Sequence, residues 1–333
     1  MRSSLHARLS LLSIAAVFAI SACSGGGSLP GGSSAPAPVQ QAPLSPQMLQ
    51  NEKSPAALYV SDFYGKSVFR FVRNADGTLM TPAGSSLVLS YNPGPIAIGS
   101  SGYLFVTDEN NESIEVYRKG ATGSQQASRS LLVPFVPSCV AVDAAGYEYV
   151  GGFSNGYVAV YKPNARGLAP TVQRISLPDG HIDINGVSVD ASGDLYVSDS
   201  NEISEFTTPT TNPTLKRAIV GSGQQNSPTG LAIEHITGEL YAANAGDNNI
   251  LAYSKTANGH DAPDRTISSN NPALKNPVGV AVDNRVLYST SGTSLNGPPS
   301  VFVLDDRTNG AQTPKQVVTG SYLSSPLGAA LGP

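Results

Sequence analysis

The chain has 333 residues, of which only 13% are charged, with 34 Gly, 25 Pro, no Trp and a formal net charge of −4. Charge at about half the usual quarter, with this many turn formers, excludes a coiled-coil or long-helix protein and suits short strands. Lys and Arg are scattered rather than run together, so nothing suggests nucleic-acid binding or a polybasic membrane patch.

At the N-terminus, Arg2 and Arg8 flank the start of an apolar run over residues 9–20. That run is too short to span a bilayer as a mature helix and reads as an export signal over residues 1–22. It ends Ile20-Ser21-Ala22-Cys23, which resembles the lipobox of bacterial lipoproteins. The resemblance implies that Cys23 is diacylated and becomes the new N-terminus; an ordinary signal peptide cut near Ala22 is the alternative. Multiple acyl chains anchor stably, each buried methylene contributing about 0.8 kcal/mol. Ser24 rather than Asp follows the Cys, so in a Gram-negative host the resemblance to sorted lipoproteins favours the outer membrane. The expected location is therefore the bacterial cell envelope, with the membrane reached through the lipid anchor. Residues 23–53 are mostly Gly, Ser, Ala, Pro and Gln. Such a segment buries too little apolar surface to order itself and reaches about 30 Å as a tether. Acylation of Cys23 leaves the only other cysteine, Cys139, unpaired, and it reads as a small buried apolar side chain.

Residues 54–333 repeat one pattern six times. A strand carries an aromatic at Tyr59, Phe105, Tyr149, Tyr196, Tyr241 and Tyr288, at intervals of 46, 44, 47, 45 and 47 residues. Before it comes a strand of alternating small and apolar residues, centred on Ile96, Val140, Val187, Leu231, Val280 and Ala329. After it comes a third strand such as Ile114-Glu115-Val116-Tyr117 or Ile250-Leu251-Ala252-Tyr253, then a weaker fourth. Four strands at a period near 45 give an all-β, six-bladed β-propeller of four-stranded blades. The first copy opens on a second-type strand and the chain closes on a first-type strand. The C-terminal inner strand is therefore predicted to pair with the N-terminal blade and close the ring, removing the open edges.

The unit Pro228-Thr229-Gly230-Leu231-Ala232-Ile233-Glu234, then Gly238-Glu239-Leu240-Tyr241-Ala242-Ala243-Asn244, then Asn248-Asn249-Ile250-Leu251-Ala252-Tyr253 resembles the NHL repeat. More broadly, the chain from residue 57 to 333 is similar to the six-bladed propellers of the gluconolactonase (SMP-30) and streptogramin-lyase superfamily. The resemblance implies the fold; for function it spans hydrolases, lyases and plain binding domains. NHL units commonly carry Arg just before the third strand, where this chain has Ser67, Ser113, Tyr157, Glu202, Asn249 and Ser300.

In such propellers, ligands sit at the channel mouth, among the loops leading into the inner strands and the turns joining strands two and three. Lactonase relatives hold a divalent cation there, and the matching positions here offer only Asp183 and Asn185. Two ligands are a poor set for calcium or zinc, so no cofactor is expected. Lyase relatives use a channel His as general base. His181 lies near such a loop and is expected to be unpaired polar surface, while His235 and His260 are expected to be solvated on the opposite or outer surface. Asp and Asn in the second-to-third turns ordinarily close those turns on their own backbone. As an alternative duty, Asp108, Glu109, Asn110, Asn201, Asp247 and Asn248 form a polar rim. Joined by Phe63, Tyr64, Phe153, Asp183 and Asn185, that rim offers a surface for an envelope protein, a peptide or a glycan. The function expected from these residues is a non-catalytic, monomeric binding platform; the alternative is a periplasmic lactonase-like hydrolase or lyase.

Overall fold

Each copy of the repeat folds into one twisted antiparallel sheet, and the six sheets stand around a central axis. The computed structural model describes residues 56–82, 86–178, 180–221, 223–291 and 298–333; the expected export signal, the expected acylation at Cys23 and the expected tether lie outside them. Blade 2 shows the plan, with Pro93–Ile98 innermost, then Leu104–Asp108, Ser113–Tyr117 and Arg129–Leu132 outermost. The inner strands of blades 3 to 6 are Pro137–Val142, Gly186–Val189, Pro228–Ile233 and Val280–Asp283, each packed on the next. Blade 1 takes its inner strand, Pro326–Gly332, from the C-terminus. That strand pairs antiparallel with Ala57–Asp62 in the register Ala57↔Gly332, Leu58↔Leu331 and Tyr59↔Ala330. The ring closes as the order of strand types predicts.

Both faces of a blade are covered by its neighbours, so central strands are buried along their whole length rather than alternately. Ala57–Asp62 and Leu104–Asp108 are buried at every residue. The second-strand aromatics fill the wedge between blades, Tyr149, Tyr241 and Tyr288 being wholly buried. Volume falls toward the axis, where Ala97, Ala141, Ser188, Ala232, Ala281 and Ala330 let the sheets converge. Outer strands face water on one side and are correspondingly polar, as in Thr214–Ile219.

The blades are also clasped at their outer edge, a device that the sequence reading missed. The loop between the third and fourth strands of one blade reaches back and bridges in parallel to the outer strand of the blade before it. The pairs are Leu87↔Gly123, Leu131↔Gly167 and Ile219↔Gly259. At the blade 5–6 seam the bridge lengthens into a fifth strand, Gly310–Gln312, on Arg265–Ser269. Each of these glycines has positive φ, between 56° and 90°, which an L side chain would resist. The outer-strand arginines complete the clasp, Arg129 Nη1 donating to Ala165 O (2.5 Å) and Arg217 Nη1 to Ala257 O (2.6 Å). Their guanidinium planes lie 5.3 Å over Phe105 and 6.0 Å over Tyr196, a cation–π contact worth about 0.5–1 kcal/mol. Arginine is thus absent before the third strand but present on the fourth. At the closing seam, Gln316 takes the arginine position, and its amide pairs with both N (2.6 Å) and O (2.9 Å) of Leu79.

Candidate functional site

The upper face carries the loops leading into the inner strands and the turns joining strands two and three. Inner strands are bulged where they reach this face, between Pro93 and Ile96, Pro137 and Cys139, and Pro228 and Leu231. The bulges free buried carbonyls that need donors. Hydroxyls also bond backbone carbonyls of this face across the blade seams: Ser138 Oγ donates to Ile184 O (2.5 Å), Ser198 Oγ to Thr229 O (2.9 Å) and Thr290 Oγ1 to Leu327 O (2.6 Å). Thr229 Oγ1 lies 3.3 Å from Val278 O. These bonds stitch blades 3 to 4, 4 to 5, 5 to 6 and 6 to 1 around the mouth.

Apolar side chains meet at the mouth. Ile184 of blade 4, Cys139 of blade 3, Val278 of blade 6 and Leu327 of blade 1 belong to one buried apolar cluster, with Phe63 packed against it. That cluster contains no residue of blade 2 or blade 5, so contact between its two halves runs across the axis rather than around the ring. Burying such side chains stabilises by about 1.5–3 kcal/mol each. Cys139 sits wholly buried in this plug, its thiol pushed up to about 12 by burial, and is accordingly inert.

Around the plug, the polar turns divide into two kinds. Asp62, Asp108 and Asp199 are buried, and each gives at least one oxygen to backbone amides. Asp62 accepts from Ser324 N (2.6 Å) and Ser325 N (2.9 Å), Asp108 from Asn110 N (3.0 Å), and Asp199 from Asn201 N (2.7 Å). Asp247 holds Asn226 Nδ2 at 3.1 Å, and Asn248 Oδ1 accepts from Asn276 N at 2.7 Å across the blade 5–6 seam. Asp183 Oδ1 accepts from Ser154 N (2.9 Å), which brings it beside Phe153, and Asn185 N donates to Ser198 O (2.8 Å). Asp183 and Asn185 therefore do not fit the roughly six-oxygen set of a hard cation. The carboxylates that do converge, Asp190, Asp194 and Glu205, lie elsewhere in blade 4. Lys216 Nζ already stands among them, 2.7 Å from Asp194 and 2.6 Å from Glu205.

The second kind is free to meet a ligand. Tyr64 is 53% exposed, stacked edge-on against Phe63 at 5.1 Å. Ile182, which the sequence reading did not single out, is 56% exposed. Asn110 and Asn201 are exposed as well, and Asp247 and Asn248 stay exposed although they also hold loop bonds. Glu109 is half-buried against the inner strand, where a Cβ on Gly94 would lie 3.5 Å from its Oε1. It accepts no hydrogen bond among the described residues, and burial, reinforced by the Asp108 charge, raises its carboxyl to about 7.

The histidines depart from expectation. His181 is paired, its Nδ1 3.0 Å from Asp199 Oδ2 while its side chain stays 41% exposed. His235 Nδ1 lies 3.5 Å from Glu234 Oε1, and His260 Nδ1 3.2 Å from Gly221 O, so neither is simply solvated. The signal for the His181 pair was an Asp in the adjoining turn, visible only once the fold brought residues 18 apart together.

No protein-family model matches the sequence, and no curated protein matches it. Solved structures do. A chain from a nidogen–laminin complex superposes with a TM-score of 0.62 at 16% identity, over 83% of this chain and 98% of that one. A protein of unknown function from Bacteroides caccae gives 0.55 at 12%, over 83% and 98%. A streptogramin B lyase gives 0.51 at 13%, over 85% and 89%. At such identities the likeness is one of fold, and the fold it establishes is the β-propeller.

Proposed function

We propose that this chain is a lipid-anchored binding platform of the cell envelope, which holds a protein partner on the upper face of its propeller. The observation that carries this reading is the apolar cluster in which Ile184, Val278 and Leu327 meet at the channel mouth with Phe63 packed against them; we read it as a plug in the place a buried reaction site would take. A ligand is left with the rim above it. There, exposed Tyr64 and Ile182 supply apolar anchors, set among the short polar side chains of Asn110, Asn201, Asp247 and Asn248. Aromatic and aliphatic anchors ringed by polar groups suit a protein contact. One fold neighbour comes from a protein–protein complex, which is compatible with that use. Export through residues 1–22, acylation at Cys23 and the tether of residues 23–53 would hold this face away from the membrane.

Photocross-linking side chains at positions 64, 182 and, on the lower face, 255 test the reading in cells. Discrete protein adducts from positions 64 and 182 but not 255 are expected; adducts from position 255 alone would overturn it.

A second reading rests on His181. Its Nδ1 lies 3.0 Å from buried Asp199 Oδ2; a proton held on Nδ1 would leave Nε2 as the basic nitrogen, able to take a proton from a lactone or lyase substrate. Under that reading, turnover of a lactone or cyclic depsipeptide would disappear in His181→Gln while the partner adducts would be unchanged.

A further inference from the structure

On the lower face, the seam where the ring closes contains a cleft of about 570 Å³ between blades 1 and 6. Its walls are the turn at residues 73–77 of blade 1, the tight turn Asn284-Arg285 of blade 6, and Arg307 and Lys315 from the last clasp loop. Four cations and one acid, Asp76, line it. Two of the cations are committed. Arg73 binds Asp283 (2.9 Å) and Tyr288 OH (2.8 Å), and Arg307 grips Asp305 with two bonds (3.1 and 2.9 Å). Arg285 and Lys315 are exposed, and their side chains make no hydrogen bond among the described residues. Asp76 Oδ1 accepts from Thr78 N (2.9 Å) and Thr78 Oγ1 (2.7 Å). Two open cations against one occupied carboxylate leave the cleft positive.

The backbone of that turn gives an independent sign. Asn284 and Arg285 have φ of 46° and 68°, the left-handed pair of a two-residue hairpin turn whose second position favours Gly. A long cation held where Gly would be relaxed is a strained choice, and such strain concentrates at ligand sites. The chain also enters the domain here, since Ala56, the first described residue, lines the cleft.

We propose that this cleft binds a phosphate-bearing anion, clamped between the guanidinium of Arg285 and the ammonium of Lys315. Guanidinium matches phosphate oxygens with paired donors, and Lys adds a point charge. A phospholipid headgroup and a soluble phosphoester present the same group, and the volume admits either.

The test uses the mature chain from residue 23 carrying Cys23→Ser, so that neither the apolar export segment nor an acyl chain contributes. Inorganic phosphate is titrated by calorimetry at low salt, and co-sedimentation compares vesicles of phosphatidylglycerol and phosphatidylcholine with vesicles of phosphatidylcholine alone. Arg285→Gly relaxes the turn, so its melting temperature is expected to rise while phosphate affinity falls tenfold or more. Lys315→Gln is expected to lose affinity similarly with unchanged melting. Binding to anionic vesicles that phosphate competes away assigns a headgroup; phosphate binding without vesicle binding assigns a soluble phosphoester. Phosphate affinity equal in wild type and Arg285→Gly, vesicle binding indifferent to Arg285→Gly, or no binding to phosphate and no preference for anionic vesicles overturns the proposal.

Discussion

Replacing Glu109 by Gln removes a charge that the fold holds at a disadvantage. The carboxyl rises from 4.5 to about 7 because burial beside Gly94 strips its water and Asp108 repels its charge. A shift of that size makes the ionised folded state about 3 kcal/mol less favourable, at about 1.36 kcal/mol per tenfold change. Residual solvent contact reduces this to about 2 kcal/mol. The folded value lies above the unfolded one, so the stability that Glu109 contributes is fully present below pH 4.5 and is lost as pH rises through about 7. Glu109→Gln should therefore match wild type near pH 4.5 and exceed it by about 2 kcal/mol at pH 8, or about 4–8 °C in melting temperature. Urea unfolding of both proteins at pH 4.5, 6 and 8 measures the difference directly. A difference that stays flat with pH would refute the placement of this carboxyl against the inner strand.

Arg129→Met strands Glu148, which is wholly buried and bonded to Arg129 at 2.5 and 3.2 Å, and should cost about 3–5 kcal/mol at pH 8. Burial already lifts Glu148 to about 7 despite that partner, so the loss should shrink at pH 5.5, where the stranded carboxyl protonates; an equal loss at both pH values contradicts the pairing. Deleting residues 326–333 removes buried Leu327, Ala329 and Ala330 and the inner-strand pairing to Ala57–Asp62. Cooperative thermal unfolding should be lost and then restored by adding the peptide in excess, whereas an unchanged melt would contradict the closure. Cys139, wholly buried with its thiol near 12, should react with an aromatic disulfide reagent no faster than the protein unfolds.

What could be read in the sequence follows from what each residue does. The second-strand aromatics from Tyr59 to Tyr288 recur because every blade has the same wedge to fill, and that duty fixed the period, the blade count and the closing strand. Outer strands were found only approximately, because their pairing depends on the next blade. Even so, Ala121-Thr122-Gly123, Ala165-Arg166-Gly167 and Ala257-Asn258-Gly259 stood in the chain as a second, unremarked repeat. Of the rim, Asp108 and Asp247 were recognised as turn residues, and their bonds are those of turns and loop pins. The plug was not legible, since Ile184, Val278 and Leu327 look like ordinary strand-edge residues until six blades bring them to one axis. His181 and Asp199 were hidden for the same reason.

The sealed channel is the claim on which the functional reading stands, and a cysteine placed inside the seal tests it. In a background of Cys23→Ser and Cys139→Ala, Val278→Cys is alkylated by a small maleimide, with and without Phe63→Ala. Protection in the folded protein, lifted by Phe63→Ala without loss of the cooperative melt, is the predicted result. Labelling of native Val278→Cys as fast as the urea-unfolded chain would mean an open channel, and the site would then have to be sought within it.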